Sequence, residues 1–519
     1  MIVIPSSQFL RIEIQNEIGK LPPSLSFLKN KRLYDFQINL LKKNWPNEKI
    51  FLTLPLNYEL EMLDHEWLTK LGAEVCFCSS ELSLGEHIAN FITKKNPKNL
   101  KILHGDTLFN ELPFEEDAVV IGTPHEIANW DKVSSGNTNL VWSGYFSFSN
   151  PNNLLNNLKK NNYSFERAIS AYGNIHKLKF IENSKWYDFG HLEELHKARE
   201  KFTTERAFNN LQINKYEVKK TSIKKTKIFD EFNWFQKAPN HFQKFLPNVY
   251  DYNESEDKAS YKMSYISGFS LSELMLFSNL SESKWKNILQ ELSIVLDMQE
   301  VNVPSNSNEL AKSFMDSIHK KNEQRIKQIV QSSFVSEDKT LILDGEILGN
   351  INQIVSDLTK KIKDYSSIPA FCHGDLCFSN IIYLSRGNIL KLIDPRGINR
   401  NTKNIVGDKR YDLAKIAHSL IWGYDRILLG DISFYRNGHE FKETTKIPIN
   451  KNQELLKRIS NELNLKNILL REDVVAITAL LFISMIPLHA ESEKRQVSLF
   501  GNGLKIYKLL KENMKEANK

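Results

Sequence analysis

The chain has 519 residues, of which 41% are hydrophobic and 25% charged, with 69 basic and 62 acidic side chains and a formal net charge of +7. This length exceeds the ~100–200 residues that one domain usually takes, so two or three domains are predicted. The small positive excess suits anionic ligands such as nucleotides. The absence of a dense Lys/Arg block beside aromatic residues argues against a nucleic-acid partner.

Cysteine usage and the apolar runs predict a cytoplasmic protein without membrane insertion. The four cysteines form no CxxC pair and no zinc-ligand spacing, and a disulfide framework is not expected in so large and cysteine-poor a chain. The N-terminal MIVIPSSQFLRIE lacks the basic region and long apolar run of a signal peptide. The longest apolar stretch, Val474–Leu488, is shorter than the ~20 residues that span a bilayer, so we expect a buried core helix.

The first part of the chain, up to about residue 195, alternates short apolar runs with amphipathic segments. The helix-like segments include Tyr58–Leu71 and Leu84–Ile92. This alternation predicts a mostly parallel sheet covered by helices, an α/β domain over residues 1–195. The strand-like runs are IFLTL (50–54), AEVCFC (73–78), LKILHG (100–105) and AVVIG (118–122).

The pattern changes in the second part, residues 196–519. KYEVKKTS and ASYKMSYISG are strand-like and flank a helix-like segment at Thr226–Ala238. From about Leu271 to the end helical periodicity dominates, and we expect it to be broken by one insert of short strands, Ile368–Asp394. A small β-rich lobe (about 204–268) before a large helical lobe (about 269–519) is the outline of a bilobal, protein-kinase-like α+β domain.

The strongest chemical signal is the run FCHGDLCFSNIIY, followed by LKLIDPRG. Transfer of a phosphoryl group to a hydroxyl needs a carboxylate that accepts the proton, which Asp375 can supply. It also needs oxygen ligands for Mg²⁺, which prefers hard oxygens and keeps phosphate and water in its shell. Asn380, five residues on, and Asp394, after a short hairpin, supply such ligands.

This pattern resembles the aminoglycoside phosphotransferase and choline kinase superfamily, whose signature is HGDxxxxN followed by a metal-binding Asp. The resemblance implies that Asp375 is the catalytic base, that Asn380 and Asp394 hold Mg²⁺ and that ATP is the phosphoryl donor. It implies further that His373 orders the loop and that Asp412, in GDKRYDLAK, supports it. A protein kinase is disfavoured, because no HRD, DFG or APE element appears.

An ATP-binding lysine and its carboxylate partner are expected in the small lobe. In YEVKK, strand alternation turns only one of Lys219 and Lys220 toward a phosphate site. The superfamily pattern favours Lys219, and a solvated basic edge is the alternative. Glu231, in KIFDEFNWF on the following helix, is then the expected ion-pair partner, with a surface glutamate as the alternative.

Further segments resemble superfamily elements more weakly. Backbone around Ser264–Ser267 is expected to bind adenine as a hinge, and RAFNNLQ (206–212) to cover the phosphates. Five side chains after the metal-binding aspartate are candidates to face the acceptor, each with a structural role as the alternative: Arg396, Arg410, Tyr411, His418 and Tyr424.

The N-terminal part resembles the sugar-1-phosphate nucleotidylyltransferases, a Rossmann-type α/β/α family. HGDTLF and WYDFGH match its metal-binding elements, which implies Mg²⁺ ligands at Asp106 and Asp188 and a second nucleoside triphosphate as substrate. GYFSF (144–148) matches a strand near the sugar. The first loop departs from the family, because it has no glycine and Pro23 stands where lysine is expected; Arg11 and Lys20 are out of register.

Together these patterns predict a bifunctional enzyme. Its second domain phosphorylates the hydroxyl of a small molecule, a sugar or sugar phosphate, and its first transfers a nucleotidyl group, as in synthesis of bacterial capsule and surface-polysaccharide precursors. Two alternatives remain open. One is activation of choline, with Trp422 and Tyr424 as cage candidates, and the other is a kinase with a non-catalytic N-terminal binding domain. The acceptor and the oligomeric state stay undetermined.

Overall fold

The computed structural model describes residues 1–123, 140–183, 185–202, 210–399, 402–445 and 450–517. The chain divides into two compact units, Met1–Thr204 together with Phe277–Asn279, and Glu205–Leu276 together with Leu280–Lys519. Both combine helices and strands, so the protein is of the mixed α/β class. Among the described residues, no helix has the length and apolar character needed to cross a membrane.

The elements of the first unit follow the alternation expected from the sequence. The strands are β1 Ile2–Ile4, β2 Phe27–Leu28, β3 Lys31–Arg32, β4 Ile50–Pro55, β5 Ala73–Cys78, β6 Leu100–Leu103, β7 Thr107–Phe109, β8 Ala118–Gly122, β9 Val141–Phe148, β10 Lys179–Glu182 and β11 Trp186–Asp188. The helices are α1 Ile12–Ile18, α2 Leu33–Asn44, α3 Met62–Lys70, α4 Leu84–Lys95, α5 Pro151–Lys160, α6 Phe165–His176 and α7 Leu192–Phe202.

Seven of these strands form one sheet in the order β10-β8-β9-β6-β1-β4-β5. All neighbours pair in parallel except β9, which is antiparallel to both β6 and β8. Apolar residues from central strands and from α4, α5 and α6 form a buried core. Strands covered on both faces read as continuous apolar runs, which is why the mostly parallel sheet could be predicted and is confirmed.

The second unit begins with a small sheet and continues mainly as helices. Its strands are β12 Asn210–Ile213, β13 Glu217–Ser222, β14 Val249–Glu254, β15 Ala259–Ser264, β16 Phe269–Ser270, β17 Leu341–Leu343, β18 Glu346–Gly349, β19 Pro369–Phe371, β20 Ile381–Leu384, β21 Ile389–Leu392, β22 Val406–Asp408, β23 Phe434–Asn437 and β24 Glu440–Glu443. Its helices are α8 Lys225–Lys237, α9 Leu271–Phe277, α10 Glu282–Met298, α11 Ser307–Gln331, α12 Ile351–Lys363, α13 Lys409–Leu420, α14 Tyr424–Leu429, α15 Lys451–Glu462, α16 Leu465–Leu469, α17 Glu472–Ser484 and α18 Glu493–Ala517.

The small sheet is antiparallel, in the order β12-β13-β15-β14, and α8 packs on its strands. Two antiparallel pairs then position the central loops of the large helical part. Strand β19 pairs with β22, which leads directly into α13, and β20 pairs with β21 as a hairpin. The buried apolar helix predicted over Val474–Leu488 is confirmed as far as Ser484, where α17 ends, whereas Leu488 is exposed.

One expectation about the helical part is wrong. Strands occur not only in the predicted insert but also in a second sheet with the order β18-β17-β24-β23. Each of these strands has only three or four residues, and β17 and β24 are separated by about a hundred residues of chain. Runs of three or four residues are too short to show a period that distinguishes a strand from part of a helix. Their pairing also depends on residues that are distant in sequence.

Candidate functional site

The loop after β19 is held in place by a buried histidine. His373 is neutral in character, because burial lowers its pKa to about 4. Its Nε2 donates to the Ile393 carbonyl oxygen at 3.0 Å, a tautomer assigned from that partner, and its Nδ1 accepts the Asp375 backbone N–H at 3.3 Å. Gly374 has a φ of +76°, and a Cβ there would lie 2.7 Å from the Arg396 Cβ. The loop therefore packs directly against the segment that carries Asp394.

Asp412 anchors the same loop from the first turn of α13. Its Oδ2 accepts the His373 backbone N–H at 2.8 Å and the Gln299 side-chain amide at 2.7 Å, and its Oδ1 accepts the Gly374 backbone N–H at 2.8 Å. Burial raises the pKa of Asp412 to about 6 despite these bonds. β19 and β22 pair in antiparallel fashion, with Pro369 opposite Asp408 and Phe371 opposite Val406, so α13 begins next to the strand that carries this loop, and its first turn supplies Asp412.

Asp375 is half-buried, and its carboxylate contacts the side chains of Lys415 and Asn380. Its Oδ1 lies 2.9 Å from the Lys415 Nζ, and its Oδ2 accepts the Asn380 side-chain amide at 3.2 Å. Burial by itself would lower the pKa of Lys415, but the negative charge of Asp375 opposes it and the net pKa is raised. Sequence reasoning missed Lys415, whose only signal is its spacing of three residues from Asp412 on one helix face.

Asn380 and Asp394 are brought together by the β20–β21 hairpin. They lie at its open end, where the Ile393 N–H donates to the Asn380 carbonyl at 3.0 Å. The Asn380 Oδ1 is buried and has no hydrogen-bond partner in the described protein, while its amide nitrogen is used by Asp375. Asp394 has a φ of +56°, a conformation that Asp tolerates better than most residues.

This pair fits a magnesium ion that also takes ligands from a phosphate chain. An unpartnered buried amide oxygen and a nearby carboxylate are hard oxygen donors. Within the described ranges, no group of three or more His, Cys, Asp and Glu side chains is arranged to hold a metal ion. The two-residue set therefore leaves the remaining positions of a Mg²⁺ shell to substrate and water.

Lys220, and not Lys219, is the lysine that β13 places beside Glu231 and Asp394. The Lys220 side chain is 2% exposed, with its Nζ 2.5 Å from Glu231 Oε2 and 2.9 Å from Asp394 Oδ1. Burial would lower the pKa of Lys220, but the charges of Asp394 and Glu231 outweigh it and the pKa is raised. The predicted facing of β13 is thus wrong by one residue. Val218, 6% exposed, fixes the phase, and Lys220 shares its buried face while Lys219 is on the other face.

Glu231 comes from α8 and is almost fully buried. Besides Lys220 it accepts the Tyr261 hydroxyl at 3.2 Å, and its Oε1 lies 3.4 Å from the Lys227 Nζ. Gly397 has a φ of +94°, and a Cβ there would come within 3.0 Å of backbone atoms of Asp230 and Glu231. The DPRG segment after Asp394 therefore packs against the turn of α8 that presents Glu231.

The other predicted segments divide into placed and unplaced ones. Ser264–Ser267 joins β15 to β16, and of RAFNNLQ only residues 210–212 are described, in β12. Arg410 is buried in ion pairs with Asp408 and Asp473, which makes it a structural residue.

The cage candidates Trp422 and Tyr424 and the acceptor-facing candidate His418 pack in different ways. His418 is fully buried, stacks on Tyr424 with ring centroids 3.8 Å apart, and has no hydrogen-bond partner at either ring nitrogen among the described residues. Tyr424 also lies near Phe482, at 6.4 Å. Trp422 is half-buried.

The first unit brings its two predicted carboxylates together. Asp188 ends β11 opposite Thr107 of β7, and Asp106 immediately precedes β7. Asp188 accepts the Gly190 N–H at 2.6 Å and contacts His191 Nδ1 at 2.6 Å. A Cβ at Gly190 would lie 2.5 Å from Asp106 Oδ2 and 3.2 Å from Asp188 Oδ1, so both carboxylates converge on this glycine.

The close carboxylates of this unit suit a metal site, but groups near its start that could bind a triphosphate already contact other residues of the protein. Burial, with a further contribution from Asp106, raises the pKa of Asp188 to about 6, as expected for two close carboxylates. In the loop after β1, however, the Ser6 N–H donates to Thr53 Oγ1 at 3.1 Å, so it is already committed within the protein. Lys20 lies over the Phe9 ring at 4.3 Å, and Arg11 is an exposed residue that precedes α1.

Comparisons with known proteins give matches among solved structures alone. No family model matches the chain, and no curated protein matches it. The structural matches include sugar pyrophosphorylases over the N-terminal part and aminoglycoside phosphotransferases over the C-terminal part, the two families that the sequence resembles.

Three of these structures illustrate the extent of the likeness. A nucleoside-diphosphate-sugar pyrophosphorylase from Vibrio cholerae RC9 is 14% identical, with a TM-score of 0.32 over 38% of this chain and 99% of its own. The inositol-1-phosphate CTP transferase from T. maritima is also 14% identical, with a TM-score of 0.30 over 37% and 90%. A thermostable aminoglycoside phosphotransferase APH(4)-Ia in complex with ADP and hygromycin B is 12% identical, with a TM-score of 0.38 over 59% and 92%. At these identities the likeness concerns the course of the backbone only.

Proposed function

We propose that the second unit transfers the γ-phosphoryl group of ATP to a hydroxyl of a small molecule, with a sugar or sugar phosphate as the acceptor. The observation that carries this proposal is the convergence of Asp375, Asn380, Asp394, Lys220 and Glu231, which come from a strand, a helix and two loops. Phosphoryl transfer requires a proton acceptor, metal ligands and a cation on the phosphates. Asp375 would be the proton acceptor, and Asn380 and Asp394 the metal ligands. Lys220 would contact the phosphates, and Glu231 would hold Lys220 in place.

In this mechanism Asp375 accepts the proton of the attacking hydroxyl through the carboxylate that Asn380 and Lys415 orient. Asn380 Oδ1 and Asp394 would hold Mg²⁺, which would supply positive charge to neutralise the phosphate oxygens. Lys220 contacts the phosphates and is kept in place by Glu231, while His373 and Asp412 fix the loop from behind. His373 and Asp412 are positioning residues, because they act through the loop backbone.

The proposal is tested by ATP consumption of the purified full chain against a panel of sugars, sugar phosphates and choline. A Mg²⁺-dependent increase in ADP release with one class of alcohol, lost in Asp375→Asn, is the expected result. Stimulation by choline alone would favour the choline-activation alternative. The absence of both ATP binding and ADP release in Mg²⁺ would refute the kinase assignment.

For the first unit we propose Mg²⁺-dependent nucleotidylyl transfer to a sugar 1-phosphate, supported by the convergence of Asp106 and Asp188. Asp106 and Asp188 would hold a metal ion, which would supply positive charge to stabilise the phosphate oxygens of the substrates. The Ser6 N–H already donates to Thr53 and so is not available to a phosphate, which favours the alternative of a binding domain without catalysis. With both activities the protein would serve cytoplasmic synthesis of bacterial capsule or surface-polysaccharide precursors, and its four free cysteines suit that reducing compartment.

A further inference from the structure

One face of helix α11 presents cations toward the loop that carries Asp375. Phe314, Lys321 and Arg325 follow one another at intervals of seven and four residues, which places them on one face of the helix. Phe314 packs edge-on against Tyr411, with ring centroids 5.6 Å apart. Since Tyr411 and Lys415 lie one turn apart on α13, this face of α11 is directed at the surroundings of Asp375.

Arg396 extends this group from the segment after Asp394. Its guanidinium lies 5.8 Å from the ring centres of both Phe314 and Tyr411, and its Nη1 is 3.4 Å from the Tyr411 hydroxyl. Its backbone N–H donates to the His373 carbonyl at 2.9 Å, which ties it to the loop of Asp375. The aromatic contacts hold the planar guanidinium in a defined place while leaving its other donors available.

None of these cations has a carboxylate as an ion-pair partner among the described residues. In the described part of the chain, Lys321, Arg325 and Arg396 form no ion pair, and Lys321 and Arg325 form no hydrogen bond through their side chains. The one carboxylate that acts on Lys321 and Arg325 from this region, Asp375, is paired with Lys415. Partial burial and repulsion from Arg396, Arg325 and Lys415 lower the pKa of Lys321 to about 7, although Lys321 is an exposed residue of α11.

The positive charges of Lys321, Arg325 and Arg396 repel one another, and this repulsion costs free energy unless an anionic ligand neutralises them. ATP does not meet this need, because its phosphates are assigned to Lys220 and to the metal ligands Asn380 and Asp394. We propose that the phosphate acceptor is an anion: a small alcohol that bears a carboxylate or phosphate group, which Lys321, Arg325 and Arg396 bind while its hydroxyl faces Asp375. This inference rests on the proposed kinase function and specifies its substrate class.

The experiment is calorimetric titration of the full chain, with Mg²⁺ and a non-hydrolysable ATP analogue present, using a series that differs in charge. The series is glucose, glucuronate, glucose 6-phosphate, glucosamine and choline. We expect glucuronate or glucose 6-phosphate to bind at least about tenfold more tightly than glucose, and the stronger of the two distinguishes a carboxylate from a phosphate. Lys321→Gln and Arg325→Gln should remove this preference, whereas Lys327→Gln, at an exposed lysine of the same helix, should keep it.

A second measurement covers the case in which none of these sugars fits. Acetic anhydride labelling followed by peptide mass spectrometry reports the reactivity of Lys321 relative to Lys327, and inorganic phosphate should protect Lys321 alone. A preference for glucose, glucosamine or choline overturns the proposal. So does the lack of any preference together with the lack of protection by phosphate, and so does an anion preference that both variants retain.

The outcomes separate this inference from the kinase assignment. Asp375-dependent ADP release with a neutral or cationic alcohol, without anion preference, would overturn the anionic acceptor and leave the kinase intact. Preferential binding of anions without any phosphotransfer from ATP would overturn the kinase and leave the anion site.

Discussion

The side-chain amide of Asn380 donates to the Asp375 carboxylate at 3.2 Å, and its own Oδ1 is buried without a hydrogen-bond partner among the residues that the structure describes. In the proposed mechanism this one side chain would orient the base with its nitrogen and offer a metal ligand with its oxygen. The arrangement would couple the position of the base to that of the metal, because an ion bound at Oδ1 would also fix the amide that contacts Asp375.

Asp375→Asn should retain the fold and MgATP binding but lose phosphotransfer. The amide cannot accept the hydroxyl proton, and removal of a general base costs about 10²–10⁴-fold in rate. The measurement is ADP release beside ATP affinity by calorimetry. More than a tenth of wild-type turnover in this variant would remove Asp375 from the role of base.

Asp394→Ala should weaken ATP binding in the presence of Mg²⁺ and leave the weaker Mg²⁺-free binding nearly unchanged. The substitution deletes the proposed metal ligand and also a carboxylate partner of Lys220. Titration of ATP with and without Mg²⁺ tests this. A wild-type difference between the two titrations would contradict the assignment of Asp394 as a metal ligand.

Lys220→Met should cut turnover sharply, and Lys219→Met, the adjacent change on the opposite face of β13, should be nearly silent. Loss of Lys220 also leaves Glu231 with one fewer partner in a buried site, which can cost about 3–5 kcal/mol of stability. Thermal unfolding of both variants therefore accompanies the kinetics. Equal turnover in the two variants would show that neither lysine acts on the phosphates.

The contrast between these two lysines shows what local sequence could and could not predict. The spacing of Asp375, Asn380 and Asp394 lies within one loop and one hairpin, so a linear pattern is enough to find it. The phase of β13 depends on a single buried apolar residue, Val218, and the neighbouring Tyr216 is 77% exposed, so no alternation of apolar residues fixes the facing. Lys415 and α11 come near Asp375 only through tertiary packing, so their proximity to it could not be predicted from local sequence.

The pH dependence of acceptor binding should follow the charge of Lys321. With its pKa lowered to about 7 by crowding and by the cations Arg325, Arg396 and Lys415, only partly offset by Asp375, Lys321 is protonated below that pH and neutral above it. The affinity for a carboxylate acceptor such as glucuronate, whose own charge is constant over this range, should therefore fall as pH rises from 6 to 8. Lys321→Arg keeps its charge over this range and should flatten the profile. An unchanged slope in Lys321→Arg would show that another group titrates.

The first unit should release pyrophosphate slowly, if a nucleotidyl transfer occurs, and only through Asp106 and Asp188. Carboxylates can gather a metal, but a triphosphate also needs backbone N–H donors and cations around it. The Ser6 N–H is already used by Thr53, and Lys20 lies over Phe9.

The measurement is pyrophosphate release from CTP, UTP, GTP, ATP and dTTP with a panel of sugar 1-phosphates. Mg²⁺-dependent release lost in Asp106→Asn and in Asp188→Asn, but kept in Glu116→Gln at an exposed site of the same unit, would establish a transferase. Silence with sugar phosphate still bound would leave a binding domain, and the absence of binding by either ligand would limit the resemblance to the fold.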